Sequence, residues 1–259
     1  VAAHLGEVKS VRLHFPSQPG PIPLDQVGDA DRATLRALAR GKKTVIEIGT
    51  FFGGSAEALL EGMPDDGHLT CIDTFEGTAG SPTDPVNYRS EKIDFTKELV
   101  LSYLGGRLRP YHGRVNIVVG ESLSVVRDFE PESADLIFLD GAHDYENVLA
   151  DIQAWLPIVK SDGILCGHDY DRFGEALPVE KIEEFSSREY KPIPIDSPDP
   201  LRGHEELLVK VMDGDGEQVG HAVNVHFGVL RAVRESFETV ALGDNISSCV
   251  WAAKPEWKI

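Results

Sequence analysis

Two acids and two histidines fall at the ends of short apolar runs. The run Ala134–Leu139 (ADLIFL) stops at Asp140, and Gly141, His143 and Tyr145 follow. The run 163–167 (GILCG) stops at His168, Asp169 and Tyr170. An apolar run this short, with no polar alternation, reads as a strand buried on both faces, as in a parallel sheet. Ligands of open α/β sheets sit outside the carboxyl ends of the strands. Asp140, His143, His168 and Asp169 therefore stand where chemistry is expected. Carboxylates there can hold a hard divalent cation. An imidazole, with an ordinary pKa of about 6.5, suits proton abstraction near neutrality. Each residue alone has a plainer reading: Asp140 as a helix cap, His143 as an ordinary loop histidine.

A second group lies upstream. Residues 43–50 read as a buried strand that runs into a glycine-rich turn, Glu47-Ile-Gly49-Thr-Phe51-Phe-Gly53-Gly-Ser55, before a helix. Strand, glycine-rich turn and helix open the nucleotide-binding half of a doubly wound fold. The turn departs from the dinucleotide fingerprint G-x-G-x-x-G. Phe51 replaces the second glycine, and Glu47 would repel a pyrophosphate. The pattern fits a cofactor with no phosphate and a positive charge, which S-adenosylmethionine meets. Glu47 would then lie near its ammonium end, Gly49 and Gly53 would let the backbone approach beside Phe51, and Ser55 would open the helix. Asp73, ending the next strand, is placed to take both ribose hydroxyls. Glu121 and Ser122, ending the third, would face the adenine.

The elements that position these groups alternate along the chain. Asp31 is expected to cap a helix over 31–40. Helix 56–63, strand 68–72, strand 116–120, helix 123–129, strand 134–139, helix 146–159 and strand 163–167 follow. Helix 91–104, closed by Gly105-Gly106, would sit over the carboxyl edge as a lid. This rhythm predicts an α/β, doubly wound, mostly parallel sheet. Helix 179–190, a hairpin over 206–213 and 218–225, helix 227–237 and an antiparallel edge pair, 239–242 with 247–253, complete the chain.

The formal charge of −18 weighs against nucleic acid or an anionic membrane as partner, since both need a basic footprint. No apolar run approaches the roughly 18 residues of a membrane span, and the first residues lack a signal-peptide layout. Cys71, Cys166 and Cys249 each lie in an apolar, strand-like run and read as buried thiols. The expectation is a cytoplasmic enzyme.

Glu47-x-Gly49-x-x-x-Gly53-x-Ser55, Asp73 and Asp140-Gly141-x-His143-x-Tyr145 together resemble a class I S-adenosylmethionine-dependent methyltransferase. Within that class, residues 44–170 are similar to the cation-dependent small-molecule O-methyltransferases, of the catechol type and, more closely, the macrocin and antibiotic-sugar type. The resemblance implies a Rossmann-like core and methylation of a small hydroxylated molecule, sugar-bearing or phenolic. It implies a divalent cation, Mg²⁺ or Mn²⁺, on Asp140 and Asp169, and His143 as general base. The third ligand departs from both patterns: Tyr170 replaces an Asn of the catechol type, and His168 replaces an acid of the sugar type. Imidazole suits Mn²⁺, Fe²⁺ or Zn²⁺ better than Mg²⁺, and Asp171 with water could complete the shell.

The resemblance also divides the chain. An irregular arm covers 1–28, the cofactor core 29–170, and the closing helix and edge strands 227–259. Residues 171–226 read as an insertion that shapes the acceptor pocket or forms a homo-oligomer contact. His226, opening the displaced helix, could reach the pocket, and the remaining histidines read as structural. Two other classes stay open: an NAD-dependent oxidoreductase, and a metal-independent or non-catalytic S-adenosylmethionine-binding protein.

Overall fold

The fold is that of a computed structural model, which describes residues 27–75, 97–172, 174–187, 193–204, 207–212, 217–223 and 225–259. Most of the expected N-terminal arm, the start of helix 91–104 and the turn of the hairpin lie outside them.

Five parallel strands carry the sheet: β1 (Thr44–Ile48), β2 (His68–Asp73), β3 (Val115–Val119), β4 (Ala134–Leu139) and β5 (Val159–Gly167). Two short strands, β9 (Ala241–Leu242) and β10 (Trp251–Ala253), close the far edge. The order is β3-β2-β1-β4-β5-β10-β9, with β10 antiparallel to both neighbours. Strand order reverses direction between β1 and β4, which are directly paired. That junction is the switch point where such sheets open a crevice at their carboxyl ends.

Two helical layers bury the sheet. One face carries α1 (Asp29–Leu38), α2 (Gly54–Gly62) and α3 (Lys97–Leu108), packed through Leu35, Leu59, Leu60 and Leu104 onto Leu69, Leu136 and Phe138. The other carries the short α4 (Ser122–Val125), α5 (Tyr145–Trp155), α6 (Val179–Ser186) and α7 (Phe227–Ser236), around Ile137, Ile152, Trp155 and Leu230. Asp144 caps α5 by accepting from the Asn147 backbone N–H. A single 3₁₀ turn bearing Pro157 then ends it well before residue 159.

Some expectations fail for identifiable reasons. Gly105 and Gly106 do not end a helix. They are buried within α3, whose described residues pack in the face layer and against Phe52 and Gly53 of the turn after β1. Gly28, and not Asp31, is the N-cap of α1. Cys249 precedes β10 and is only partly buried, whereas Cys71 and Cys166 are enclosed in β2 and β5.

Residues 171–226 carry α6 and a separate antiparallel sheet, ordered β6 (Ile193–Pro194), β8 (Gln218–Val223) and β7 (Leu208–Met212). The hairpin was legible and the two-residue β6 was not, because two residues show no periodicity. This segment shares the main core: Ile182, Phe185, Ile193, Leu201 and Leu207 belong to the cluster beneath α7. Among the described residues, no helix is long and apolar enough to cross a membrane.

Candidate active site

At the β1–β2 end, the turn is organised by acids bonded to their own loops. Asp73 accepts from the Phe51 N–H at 2.8 Å and the Phe75 N–H at 2.7 Å. Burial raises its pKa against the pull of these amides. Phe51 takes a positive φ of 43°, which lets its N–H face Asp73. Glu47 is 0% exposed and accepts from the Thr50 hydroxyl at 2.8 Å. Burial pushes its pKa up to about 7, against the neighbouring side chains of Ser55, Thr50 and Cys71. Glu47 is enclosed beneath the turn, with the buried Ser55 beside it.

The glycines answer to the chain as well. A Cβ at Gly49 would stand 2.1 Å from the Asp140 carbonyl oxygen, and one at Gly53 would stand 2.5 Å from Leu104. Both have positive φ, 84° and 77°, which glycine adopts at no steric cost. Gly49 thus lets β1 and β4 meet at the switch point, and Gly53 lets α3 pack. Ser122 is also committed inward: its hydroxyl donates to Asp151 at 2.5 Å and accepts from the Trp155 indole at 2.7 Å. Glu121 beside it is exposed.

At the β4–β5 end, side chains from distant segments converge. His143 Nε2 lies 2.9 Å from Asp169 Oδ2. His168 Nδ1 lies 3.1 Å from Asp169 Oδ1 and 3.7 Å from Asp140 Oδ1. The opposite nitrogen of His168, Nε2, lies 3.4 Å from Asp31 Oδ2. His226 Nε2 stands 3.8 Å from Asp169 Oδ1, and its ring lies 4.4 Å from that of His143. A cleft lined by Asp140, His143, Val148, His168, Asp169 and Val229 opens over them.

The charges follow from this geometry. Burial disfavours the His168 cation, but Asp140, Asp169 and Asp31 outweigh it and raise its pKa to about 12. Burial would raise Asp169, yet His143 and His168, with His226, hold it well below the usual carboxylate range. Asp140 is pushed up to about 7 by burial, with His168 pulling down and Asp169 pushing up. Burial would lower His143, but Asp169 and Asp140 raise it above its ordinary value. Asp169 also takes a positive φ of 61°, a conformation that is sparsely populated and concentrates at functional sites.

Asp140, His168 and Asp169, the expected metal residues, offer three ligand atoms within 4.8 Å of one another. An imidazolium held among three carboxylates is where a divalent cation could replace a proton, so the donors fit one. Tyr170 is no ligand: its hydroxyl donates to Glu175 at 2.9 Å and it is 1% exposed. Asp171 accepts from the Gly174 N–H and caps a turn. Sequence reasoning missed Asp31. It reads as a helix cap, but its Oδ1 accepts from the Cys249 N–H and its Oδ2 faces His168.

The strand order, the switch point and acids at successive strand ends define a Rossmann-like methyltransferase fold. Residues 46–170, just under half of the chain, match a family model described as a methyltransferase domain. A protein of Mycolicibacterium smegmatis, provisionally named as an O-methyltransferase, is 34% identical over 110 residues, covering 42% of this chain and 43% of that one. A relative in Mycolicibacterium vanbaalenii, named likewise, is 33% identical over 118 residues, covering 45% and 44%. The chain thus spans under half the length of these relatives. Among solved structures, the O-methyltransferase TomG of Streptomyces achromogenes in complex with SAM is similar at 20% identity. The match covers 76% of this chain and 79% of that one, with a TM-score of 0.43.

Proposed function

We propose that the chain transfers a methyl group from S-adenosylmethionine to a hydroxyl of a small molecule, sugar-bearing or phenolic, at the β4–β5 end of the sheet. The observation that carries this reading is the His143–Asp169 pair at 2.9 Å, set in the cleft beside Asp140 and next to the β1–β2 turn. The methyltransferase domain match and the names of the relatives support it.

Methyl transfer from a sulfonium is an in-line displacement: the S–CH₃ bond breaks as the O–CH₃ bond forms, and the acceptor must lose its proton. In this reading His143 donates Nε2–H to Asp169, which leaves the lone pair of Nδ1 to take that proton. Asp169 fixes the tautomer and steadies the imidazolium that results. Asp140, Asp169 and His168 would hold a divalent cation, which when bound lowers the pKa of an acceptor hydroxyl. Asp73 ends β2 beside the turn after β1, where its carboxylate would accept from the ribose hydroxyls. Phe51 contributes its N–H to Asp73 and its ring to packing against Phe52. That committed N–H also counts against a dinucleotide, whose pyrophosphate needs free amides at this turn.

The test is calorimetric titration with S-adenosylmethionine and with NAD, followed by incubation with hydroxylated sugars and phenols, scored by mass spectrometry. Binding of S-adenosylmethionine with methylation of an acceptor hydroxyl is expected. Tight binding of NAD with no response to S-adenosylmethionine would end the reading.

A further inference from the structure

We propose that His143, Asp169 and His226 form a site for a borderline transition-metal cation such as Zn²⁺ or Co²⁺, distinct from the Asp140–His168 side of the cleft, and that filling it disables the base. The inhibition rests on His143 acting as the base; the binding does not.

The donors are already gathered. His143 Nε2 lies 2.9 Å and His226 Nε2 3.8 Å from the two oxygens of Asp169. One ligand atom from each residue falls within 4.8 Å of the others. A tetrahedral cation with bonds of about 2.0–2.1 Å needs its donors about 3.4 Å apart, and the two observed distances straddle that value. Two imidazoles with one carboxylate suit Zn²⁺, Co²⁺ or Fe²⁺ better than Mg²⁺, which prefers oxygen and keeps its water. Both histidines are partly exposed, with side chains 42% and 35% accessible, so a cation can enter and a coordination position stays open.

The backbone supports the same grouping independently of the side chains. A Cβ at Gly228 would stand 2.3 Å from the His143 carbonyl oxygen and 2.6 Å from the Tyr145 nitrogen. Glycine there lets the first turn of α7 press onto the loop after β4, and that contact brings the His226 ring over His143. His226 reaches His143 from the end of the 171–226 segment, so local spacing could not pair the two.

Coordination has a definite consequence for the base. A neutral imidazole carries one proton. When Nε2 gives its lone pair to a cation, that proton sits on Nδ1, which can then accept none. A cation at this site and proton abstraction by His143 therefore exclude each other.

The full chain is titrated with Zn²⁺ by calorimetry and with Co²⁺ by visible absorption, in wild type, His226→Gln and Asp140→Asn. Loss of an outer-shell partner alone typically costs 10- to 100-fold in metal affinity. His226→Gln should therefore weaken binding at least about tenfold, while Asp140→Asn leaves it in place. Unchanged affinity in His226→Gln, or loss of binding in Asp140→Asn, overturns the proposal. A measurement on the unmodified chain guards against misfolded variants: bound Zn²⁺ should protect His143 and His226 from carbethoxylation, mapped by mass spectrometry, and equal modification with and without Zn²⁺ overturns the site. Zn²⁺ should also inhibit methyl transfer by wild type, and, with each protein read against its own metal-free rate, His226→Gln should need at least about tenfold more Zn²⁺ for the same fractional inhibition. Binding that depends on His226 without inhibition supports the site and removes His143 as the base.

Discussion

Along the carboxyl edge of the sheet, β1 and β2 end in acids held by their own turns, whereas β4 and β5 end in acids held by histidines. Asp73 is bonded by the amides of Phe51 and Phe75, and Glu47 by the hydroxyl of Thr50. Every partner lies within about one turn of the same strand–loop–helix unit or its neighbour. Asp140 and Asp169 draw on His143, His168 and His226, with Asp31 behind them, contributions from four separate segments of the chain. The first end is held by backbone amides and a hydroxyl of its own turn. The second is a network of side chains whose protons can move. The first is thus suited to holding a ligand in one geometry, and the second to exchanging a proton or a cation.

The sharpest way to break this contrast is to remove the group proposed to move a proton. His143→Ala should leave S-adenosylmethionine binding intact and slow methyl transfer by about 10²- to 10⁴-fold, the usual worth of a general base. Because Asp169 and Asp140 raise the pKa of His143, the acid limb of the wild-type rate profile should lie above pH 6.5. Asp169→Asn should move that limb down. A rate unchanged by His143→Ala would transfer the base role to another group in the cleft.

The backbone-held end is tested through Glu47, where the effect is on stability. Its pKa rises from an ordinary 4.5 to about 7 on folding, so the buried acid prefers to be neutral. A carboxyl shifted upward contributes its full stability below pH 4.5 and loses it as pH rises through about 7. Glu47→Gln keeps an oxygen for Thr50 and cannot ionise. Relative to wild type it should gain about 3 kcal/mol between pH 4 and pH 8, read from denaturant unfolding. A difference that stays flat with pH would show that Glu47 is not buried as an acid.

Asp73→Ala probes the same end through the ligand. Loss of a charged hydrogen-bonding partner costs about 1.5–3 kcal/mol, so affinity for S-adenosylmethionine should fall roughly ten- to a hundred-fold by calorimetry. The Phe51 and Phe75 amides also lose their acceptor, so Asp73→Asn should recover part of the loss. Unchanged affinity in Asp73→Ala would put the ribose elsewhere.

The same contrast explains what the sequence disclosed. The parallel core was legible because its strands are short, largely apolar runs, several of which stop at an acid or a histidine, and β4 matches its expected bounds to the residue. The meeting of Asp140, His143, His168 and Asp169 was legible because the residues that follow parallel strands open onto one edge of the sheet. Roles that depend on burial were not. Glu47, Ser122 and the turn glycines occupy cofactor-like positions in the sequence, and only packing shows the contacts they make within the chain. Asp31 was hidden for the opposite reason. An acid in the first turn of a helix satisfies a helix-start pattern, and nothing local reveals that β5 brings His168 to it.

Asp31 offers the smallest and most discriminating test of the histidine-held end. A metal-bound imidazole usually donates its other N–H to a carboxylate, which fixes the tautomer and raises its basicity. Asp31 Oδ2 faces His168 Nε2 at 3.4 Å, on the side opposite the Nδ1 that looks toward Asp140 and Asp169. Asp31→Asn retains a carbonyl oxygen for the Cys249 N–H, so the packing of α1 against the segment before β10 should persist. What changes is the charge behind His168. If Nδ1 of His168 ligates the cation proposed for Asp140 and Asp169, Mn²⁺ affinity should fall by about tenfold, the lower end for such partners. S-adenosylmethionine affinity, set at the other end of the edge, should not move. Asp31→Glu should restore part of the metal affinity, because the charge returns with a longer reach. Mn²⁺ affinity equal to wild type in Asp31→Asn would mean that His168 serves as a buried imidazolium and not as a ligand. The β4–β5 end would then be stabilised by a proton at the position where a cation is proposed.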